Sequence, residues 1–359
     1  MSATPNPTLK GHKLLITNTQ AYPTAFVEHL NKKFPDLEVA FQQLKSLGDS
    51  DFDKSIYEGV TALCSSVVFP TRDQAPKLQY IQLSSAGANH LHGNPLYEGT
   101  NISFCTANGV HPPQIAEWVI ASWLYFQHNF PRYINLMQTQ EWKAGYDSTI
   151  PVEDSVGLRM GILGYGAIGR QCARVAKAMG MDIIAYTMRE RATAESRRDD
   201  SYCVPGTGDV DGVLPSEWYY GADKASINNF IAQDLDILVI CLPLTPLTRN
   251  VIAAEQFEIM SKKKTFLSNI GRGPHVNSAD LITALETGQI RGAAVDVTDP
   301  EPLPSDHPLW KAPNLLITPH VSGNSKHYYA RVMAILEENL TRIAEGKPAI
   351  NQIDRALSY

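Results

Sequence analysis

Residues 160–188 read MGILGYGAIGRQCARVAKAMGMDIIAYTM, and this stretch decides the fold. Met160 to Leu163 is a short apolar run that ends at a glycine. Gly164, Gly166 and Gly169 then give the spacing G-x-G-x-x-G. Ile168, Cys172, Val175, Ala176 and Met179 recur at helical spacing, so one face of the next segment is apolar. Gly180 stands where a helix C-terminus favours a left-handed residue. Asp182 to Tyr186 reads as a second strand. In a strand–turn–helix–strand unit the first glycine makes the turn, the second lets backbone approach a pyrophosphate, and the third lets helix pack on strand. The helix N-terminus adds free N–H groups and a positive dipole end. The spacing alone is weak, because a glycine turn can hold nothing. The frame around it points to dinucleotide binding at Gly164, Gly166 and Gly169.

The end of the second strand bears on which dinucleotide. An NAD site usually carries Asp or Glu there, accepting from the ribose 2′-OH. This chain has Thr187, then Met188, Arg189, Glu190 and Arg191. Asp182 opens the strand instead of closing it. With no carboxylate and two guanidinium groups close by, a 2′-phosphate is the better fit, so NADP is favoured over NAD. The plain alternative is that both arginines are solvated loop charges.

Composition sets outer bounds. The 359 residues suffice for two domains with cores, and 43% hydrophobic with 19% charged residues is ordinary for a globular chain. A net charge of -6 gives no general reason to expect nucleic acid or an anionic membrane as partner. No apolar run reaches a membrane span. The start MSATPNPTLKGHK lacks a signal-peptide core, and the end ALSY is no retention or peroxisomal tag, so a cytoplasmic protein is expected. The cysteines, Cys64, Cys105, Cys172, Cys203 and Cys241, are scattered without C-x-x-C, which fits reduced thiols and argues against zinc.

Outward from the glycine turn, strands alternate with helical stretches. Strands are expected at 13–18, 37–42, 62–68 and 79–83, and a helix at 24–34 with Thr24 as a cap. Ser84, Ser85, Ala86 and Gly87 follow a strand with little side chain, leaving backbone N–H groups open to an anion; an ordinary turn fits as well. Pro112 and Pro113 open a long helix rich in Trp118, Trp123, Tyr125 and Phe126, to be buried against a second subunit or within the chain. Residues 189–228 are rich in charge, glycine and proline, and read as a surface insertion containing the tail of one crossover. Beyond it come strands at 236–241, 265–269, 291–297 and 314–318, and helices at 254–261, 278–287 and 325–344.

Three motifs each lie just past a predicted strand: Asn269-Ile270-Gly271-Arg272-Gly273, Asp296-Val297-Thr298-Asp299-Pro300-Glu301-Pro302, and Thr318-Pro319-His320. In an open parallel sheet the ligand crevice runs along that rim. Reducing a 2-keto acid by hydride needs a clamp for the carboxylate and a proton for the forming alkoxide. Arg272 offers a planar fork for the first, and His320 a proton near neutral pH for the second. Glu301 beside the imidazole would stabilise its charged form. Singly, each has a bland reading as a loop or structural residue. Together on one rim, downstream of a nucleotide turn, they form a catalytic set.

GYGAIGR, CLPLTPLTRNVI, FLSNIGRGPHVN, IRGAAVDVTDPEPLP and ITPHVSG, in this order, resemble the D-isomer-specific 2-hydroxyacid dehydrogenase family. With the weaker match of QYIQLSSAGANHL and ANGV, the resemblance covers nearly the whole chain. In DVTDPEPLP and the Tyr-Thr-x-Arg strand end it looks most like NADP-preferring glyoxylate/hydroxypyruvate reductases. The resemblance implies an α/β protein of two Rossmann-like parallel-sheet domains, one flavodoxin-like and one doubly wound, with a cleft between them. It implies a discontinuous substrate domain, 1–110 plus 322–359, and a dinucleotide-binding domain, 111–321. It implies catalysis by Arg272, Glu301 and His320, and a substrate site at Ser85, Ala86, Gly87 and Arg272. It implies cofactor contacts at Gly164, Gly166, Ala167, Ile168, Gly169, Thr187, Arg189, Leu242, Pro243, Ile270 and Gly271, with Asp296 facing the nicotinamide carboxamide. No metal is implied. The partners implied are a small 2-keto or 2-hydroxy acid and a second copy of the chain, in a homodimer through the helix after Pro113.

A nucleotide-sensing co-repressor of the same fold is the rival from another class, and the complete Arg–Glu–His set argues against it. Formate dehydrogenase is the rival among enzymes; its relatives carry Gln where this chain has Glu301. Ser85, Tyr57, Phe69, Trp310 and Tyr328 are candidates to line a substrate pocket. Two features depart from the family. The segment 189–228 is long, and His275 stands where a small or aliphatic residue is commoner.

Overall fold

The computed structural model describes residues 5–143 and 152–355 and divides the chain into two units. One is Met1–Val110 with Ser325–Tyr359, and the other is His111–Asn324. The second division therefore falls three residues later than the expected 321/322.

The first unit is a parallel sheet of five strands: β1 (Lys13–Asn18), β2 (Glu38–Gln43), β3 (Ala62–Ser65), β4 (Tyr80–Leu83) and β5 (Ser103–Cys105). Their order is β2-β1-β3-β4-β5, the flavodoxin-like arrangement. Helix α1 (Thr24–Lys33) starts after Pro23, with no side-chain cap, so the expected capping by Thr24 is not found. A short α2 (Pro95–Glu98) is capped by Asn94, whose side chain accepts from Leu96 N–H at 2.9 Å. Leu15, Leu63, Ile81, Leu83 and Phe104 build one core of this unit together with Ile353 from the far end of the chain. The chain end is also tied by backbone bonds, Thr106 N–H to Asn351 O at 2.9 Å and Ile353 N–H to Phe104 O at 2.9 Å. Tyr57 is 1% exposed in the same core, so it is a packing residue and not a pocket residue.

The second unit opens with α3 (Pro112–Gln127) and α4 (Phe130–Gln138). Then come β6 (Arg159–Leu163), α5 (Ala167–Ala178) and β7 (Asp182–Thr187), the unit read from the glycine motif. A short α6 (Ala194–Arg197) and β8 (Glu217–Tyr220) lie inside the supposed insertion. They are followed by α7 (Lys224–Ile231), β9 (Ile237–Ile240), α8 (Ala254–Ser261), β10 (Phe266–Asn269), α9 (Ser278–Glu286), β11 (Gly292–Val295) and β12 (Leu315–Ile317). The last helix, α10 (Tyr328–Ala344), belongs to the first unit.

All seven strands of the second unit run parallel, in the order β12-β11-β10-β9-β6-β7-β8. Side chains alternate across a strand, so each strand feeds two cores. Met160, Ile162, Ile183, Ala185, Ile237 and Val239 face α3 and α5, while Leu163, Ile184, Leu238 and Ile240 face the core lined by α7, α8 and α9. Trp123 of α3 is fully buried edge-on to Phe266, ring centroids 5.5 Å apart. The aromatic helix is thus largely consumed inside its own unit. The helix that follows it, α4, leaves Phe130, Tyr133, Ile134 and Met137 exposed.

The segment 189–228 is not wholly a surface insertion. Residues 217–220 form the edge strand β8, paired in parallel with β7 from Ile184↔Glu217 to Thr187↔Tyr220. Much of the rest is strapped onto the glycine unit. Arg170 of α5, 5% exposed, donates to Arg197 O at 2.7 Å and to Asp209 O, and its Nε lies 3.3 Å from Asp199. Gly208 N–H donates to Gln171 Oε1 at 2.7 Å, and the Tyr165 hydroxyl donates to the buried Asp209 carboxylate at 2.8 Å.

Candidate active site

Strand order reverses beside β6: β7 lies on one side and β9 on the other. At such a point the loops leaving the strands diverge and open a crevice. The glycine turn sits at this switch. Gly164 has φ 107°, and a Cβ there would come 2.9 Å from the Cys241 carbonyl. A Cβ at Gly169 would lie 2.5 Å from Gly164 O, so helix and turn are in contact. At Gly166 the reverse holds: nothing lies within 4 Å of a built Cβ. No side chain caps α5, so the N–H groups around Ala167, Ile168 and Gly169 are left for an outside acceptor. An open cradle over an uncapped helix start fits a pyrophosphate.

At the β7 exit the Thr187 hydroxyl donates to Arg189 O at 2.7 Å and closes the turn. Arg189 is exposed and, among the described residues, pairs with no carboxylate. Arg191 is placed differently: its guanidinium donates to Ser196 O and ties down α6. Of the two arginines considered from the sequence, only Arg189 is free to meet a ligand.

The remaining groups come from the exits of β9, β10, β11 and β12, neighbours in the sheet. Leu242 and Pro243 follow β9, and Ile270, Gly271 and Arg272 follow β10. Asn269, 1% exposed, shapes the Arg272 loop: its Nδ2 donates to Arg272 O at 3.0 Å and its Oδ1 accepts from Gly271 N–H at 3.1 Å. The sequence placed Asn269 in the motif without a role. Arg272 Nη1 donates to Gly271 O at 2.7 Å. Burial lowers the Arg272 guanidinium from its usual value, and the nearby negative charge of Glu301 opposes that shift.

His320 Nδ1 and Glu301 Oε1 are 2.6 Å apart, with both side chains open to solvent. An ionised carboxylate only accepts, so the bond places the imidazole proton on Nδ1 and leaves Nε2 as the nitrogen that can exchange a proton. His320 holds φ 55°, in the left-handed region that a non-glycine residue rarely occupies.

Asp296 holds that turn. Its carboxylate, 1% exposed, accepts from Thr318 Oγ1 at 2.6 Å, Val321 N–H at 2.8 Å and Ser322 N–H at 2.9 Å, and also from Ser322 Oγ. Four accepted bonds occupy the carboxylate. The geometry gives this carboxylate an anchoring role at the turn. Thr318 and Ser322, which with Val321 fill it, stood in the quoted motifs without a role of their own.

In the first unit, Ser85, Ala86 and Gly87 follow the carboxyl end of β4. Ser85 Oγ donates to Gly87 O at 2.8 Å, and Ser85 O accepts from Ala107 N–H at 2.9 Å. The N–H groups of Ala86 and Gly87 have no chain acceptor among the described residues. Tyr328 OH donates to Ser84 O at the same loop, while Trp310, in the other unit, donates to Pro304 O at 2.8 Å.

Residues 120–206 and 212–322 match the family model described as D-isomer specific 2-hydroxyacid dehydrogenase, NAD binding domain, over more than half of the chain. The chain belongs to that family, and is an NAD(P)-dependent oxidoreductase of two parallel-sheet α/β domains. It is 26% identical over 316 residues to a hydroxypyruvate reductase of Blautia hydrogenotrophica, covering 87% of each chain. It is 28% identical over 246 residues to glyoxylate/hydroxypyruvate reductase A of Salmonella newport, covering 68% of this chain and 69% of that one. Among solved structures it is similar to a D-isomer specific 2-hydroxyacid dehydrogenase family protein from Aeromonas salmonicida, with 25% identity and a TM-score of 0.72, covering 96% and 99% of the two chains. No helix of the described residues is long and apolar enough to cross a membrane.

Proposed function

We propose that the protein reduces small 2-keto acids (glyoxylate, hydroxypyruvate or bulkier) to 2-hydroxy acids, of D configuration where C2 is a stereocentre, with NADPH, and catalyses the reverse. The observation that carries this is the 2.6 Å pair of His320 and Glu301 on the rim that also holds Arg272. The reductase names of the Blautia and Salmonella relatives support the substrate class.

Gly164, Gly166, Gly169 and the start of α5 hold the pyrophosphate, and Arg189 meets the 2′-phosphate. When bound, NADPH supplies the hydride that reduces the keto carbon. Arg272 binds the substrate carboxylate with its planar fork and polarises the ketone. His320 gives the proton on Nε2 to the forming alkoxide, and Glu301 stabilises the imidazolium from which it leaves. In the reverse direction the same nitrogen takes the proton back. The free N–H groups of Ala86 and Gly87 suit a carboxylate. Asp296 contributes by fixing the His320 turn.

The apolar face of α4, with Phe130, Tyr133, Ile134 and Met137 exposed, suits a second copy of the chain and supports a homodimer. The decisive assay follows NADPH oxidation with glyoxylate, hydroxypyruvate, pyruvate and bulkier 2-keto acids. Turnover with a small keto acid, lost in Arg272→Ala with NADPH binding intact, is the expected result; no turnover with any of them overturns the reading.

A further inference from the structure

We propose that His275 is a positioning residue for Arg272: its imidazole couples the Arg272 loop to the Leu242–Pro243 loop and so sets the reach of the guanidinium. This inference rests on the reductase reading given above. His275 is fully buried. Its Nδ1 accepts from Arg272 N–H at 3.1 Å, and its Nε2 faces Pro243 O at 3.3 Å. A carbonyl only accepts and an amide N–H only donates, so a single neutral tautomer, with the proton on Nε2, satisfies both contacts at once. A protonated ring would aim an N–H at the N–H of Arg272. Burial pushes the imidazole down to about 4, which keeps that form away at neutral pH.

The ring is also fitted to its neighbour. A Cβ at Gly271 would lie 2.9 Å from His275 Cε1 and Nδ1 and 3.1 Å from Leu242 O. On the other flank, a Cβ at Gly273 would run into the Thr298 carbonyl, 1.8 Å from its oxygen. The two glycines around Arg272 are therefore required by close approach, one to the imidazole and the β9 exit, the other to the β11 exit. Gly271 O is the acceptor for Arg272 Nη1, so a shift of the ring moves the guanidinium through one peptide unit. An aliphatic side chain at 275 could fill the space but could not accept from Arg272 N–H. His275, a departure from the common pattern, thus has a chemical reason.

The test separates bonding from volume. His275→Phe keeps the bulk and loses the acceptor; His275→Asn loses bulk but keeps an acceptor near Nδ1. His275→Leu serves as the apolar variant where Phe does not fold. The expected result is a keto-acid KM raised about tenfold or more in the apolar variant, with recovery to within about threefold of the original in His275→Asn. NADPH Kd, read by nucleotide fluorescence, stays within about twofold in both. Oxalate affinity of the NADPH-loaded protein, by calorimetry, follows the same order and needs no turnover. An apolar variant that matches the original protein, or an Asn variant worse than Phe, overturns the proposal. An original protein that binds oxalate in the expected order yet reduces no keto acid overturns the reductase reading instead.

Discussion

The backbone N–H of His320 donates to the Asp296 carbonyl at 2.8 Å while His320 itself is held at φ 55°. A left-handed L-residue costs about 1–2 kcal/mol. The Asp296 carboxylate offsets this by binding Thr318, Val321 and Ser322 around the turn. The direction in which His320 points is thus set by a buried acid on the neighbouring strand exit. Asp296→Asn replaces one acceptor oxygen by an amide donor facing a backbone N–H. It is expected to lower kcat about tenfold or more while the far-ultraviolet circular dichroism stays native. An unchanged kcat in the folded variant would remove Asp296 from this role.

Removal of the proton donor has a sharper signature. His320→Ala is expected to lower kcat by about 100-fold or more, the ordinary range for a lost general acid, with NADPH Kd unchanged. Glu301→Gln keeps a hydrogen-bond acceptor for Nδ1 but loses the charge, so its loss is smaller than that of His320→Ala. Cofactor binding that falls together with kcat in His320→Ala would show that the residue serves the nucleotide and not the substrate.

Cofactor choice turns on one exposed guanidinium. Arg189→Ala is expected to weaken NADPH about tenfold or more and leave NADH nearly unchanged, since only the former carries the 2′-phosphate. Titration with both nucleotides decides. Equal weakening of the two, or tighter binding of NADH by the original protein, excludes the assignment.

His275 also predicts an acid limit on stability. Burial lowers it to about 4 from 6.5, opposed by the Pro243 carbonyl and reinforced by the Arg272 charge. Between these values the unfolded chain binds more protons than the native one, so stability rises with pH. The contribution is complete above about pH 6.5, falls through the window, and is gone below about pH 4. At roughly 1.4 kcal/mol per pH unit the full swing is about 3.5 kcal/mol. Urea unfolding at pH 7 and pH 5 should show a smaller acid loss in His275→Asn than in the original chain. Equal losses would mean that this imidazole is not the buried group responsible.

The strap over the glycine unit makes a further claim. Tyr165 stands between Gly164 and Gly166, and its hydroxyl is one of the groups satisfying the Asp209 carboxylate. Tyr165→Phe removes about 1 kcal/mol of hydrogen bonding, a Tm fall of about 2–4 °C for a unit of this size. NADPH Kd should rise several-fold because the turn is less held, and calorimetry with nucleotide titration reads both quantities. A variant equal to the original in both would leave the strap without influence on the turn.

Periodicity and glycine spacing carried most of the architecture. β6, α5 and β7 emerge within a residue of where alternation and the helical repeat put them, since each is a local pattern read against a buried sheet. The edge strand β8 was hidden because Glu217–Tyr220 is only four residues long, flanked by turn-forming sequence, and receives its hydrogen bonds from one distant partner, β7. The aromatic helix α3 was ambiguous because an all-round apolar helix looks the same whether its neighbour is in the same chain or another.

Residue types and their order along the chain, read alone, determined the family, the parallel α/β plan, the nucleotide turn, and the candidacy of Arg272, Glu301 and His320. Those depend on chemistry that a residue carries with it. What Asp296 holds and why His275 is a histidine were decided only when four strand exits were brought side by side, and which arginine is free at the β7 exit only when Arg191 folded back onto Ser196. A hydrogen bond between Asp296 and Ser322, or between His275 and Pro243, joins groups 26 and 32 residues apart whose distance no sequence spacing specifies.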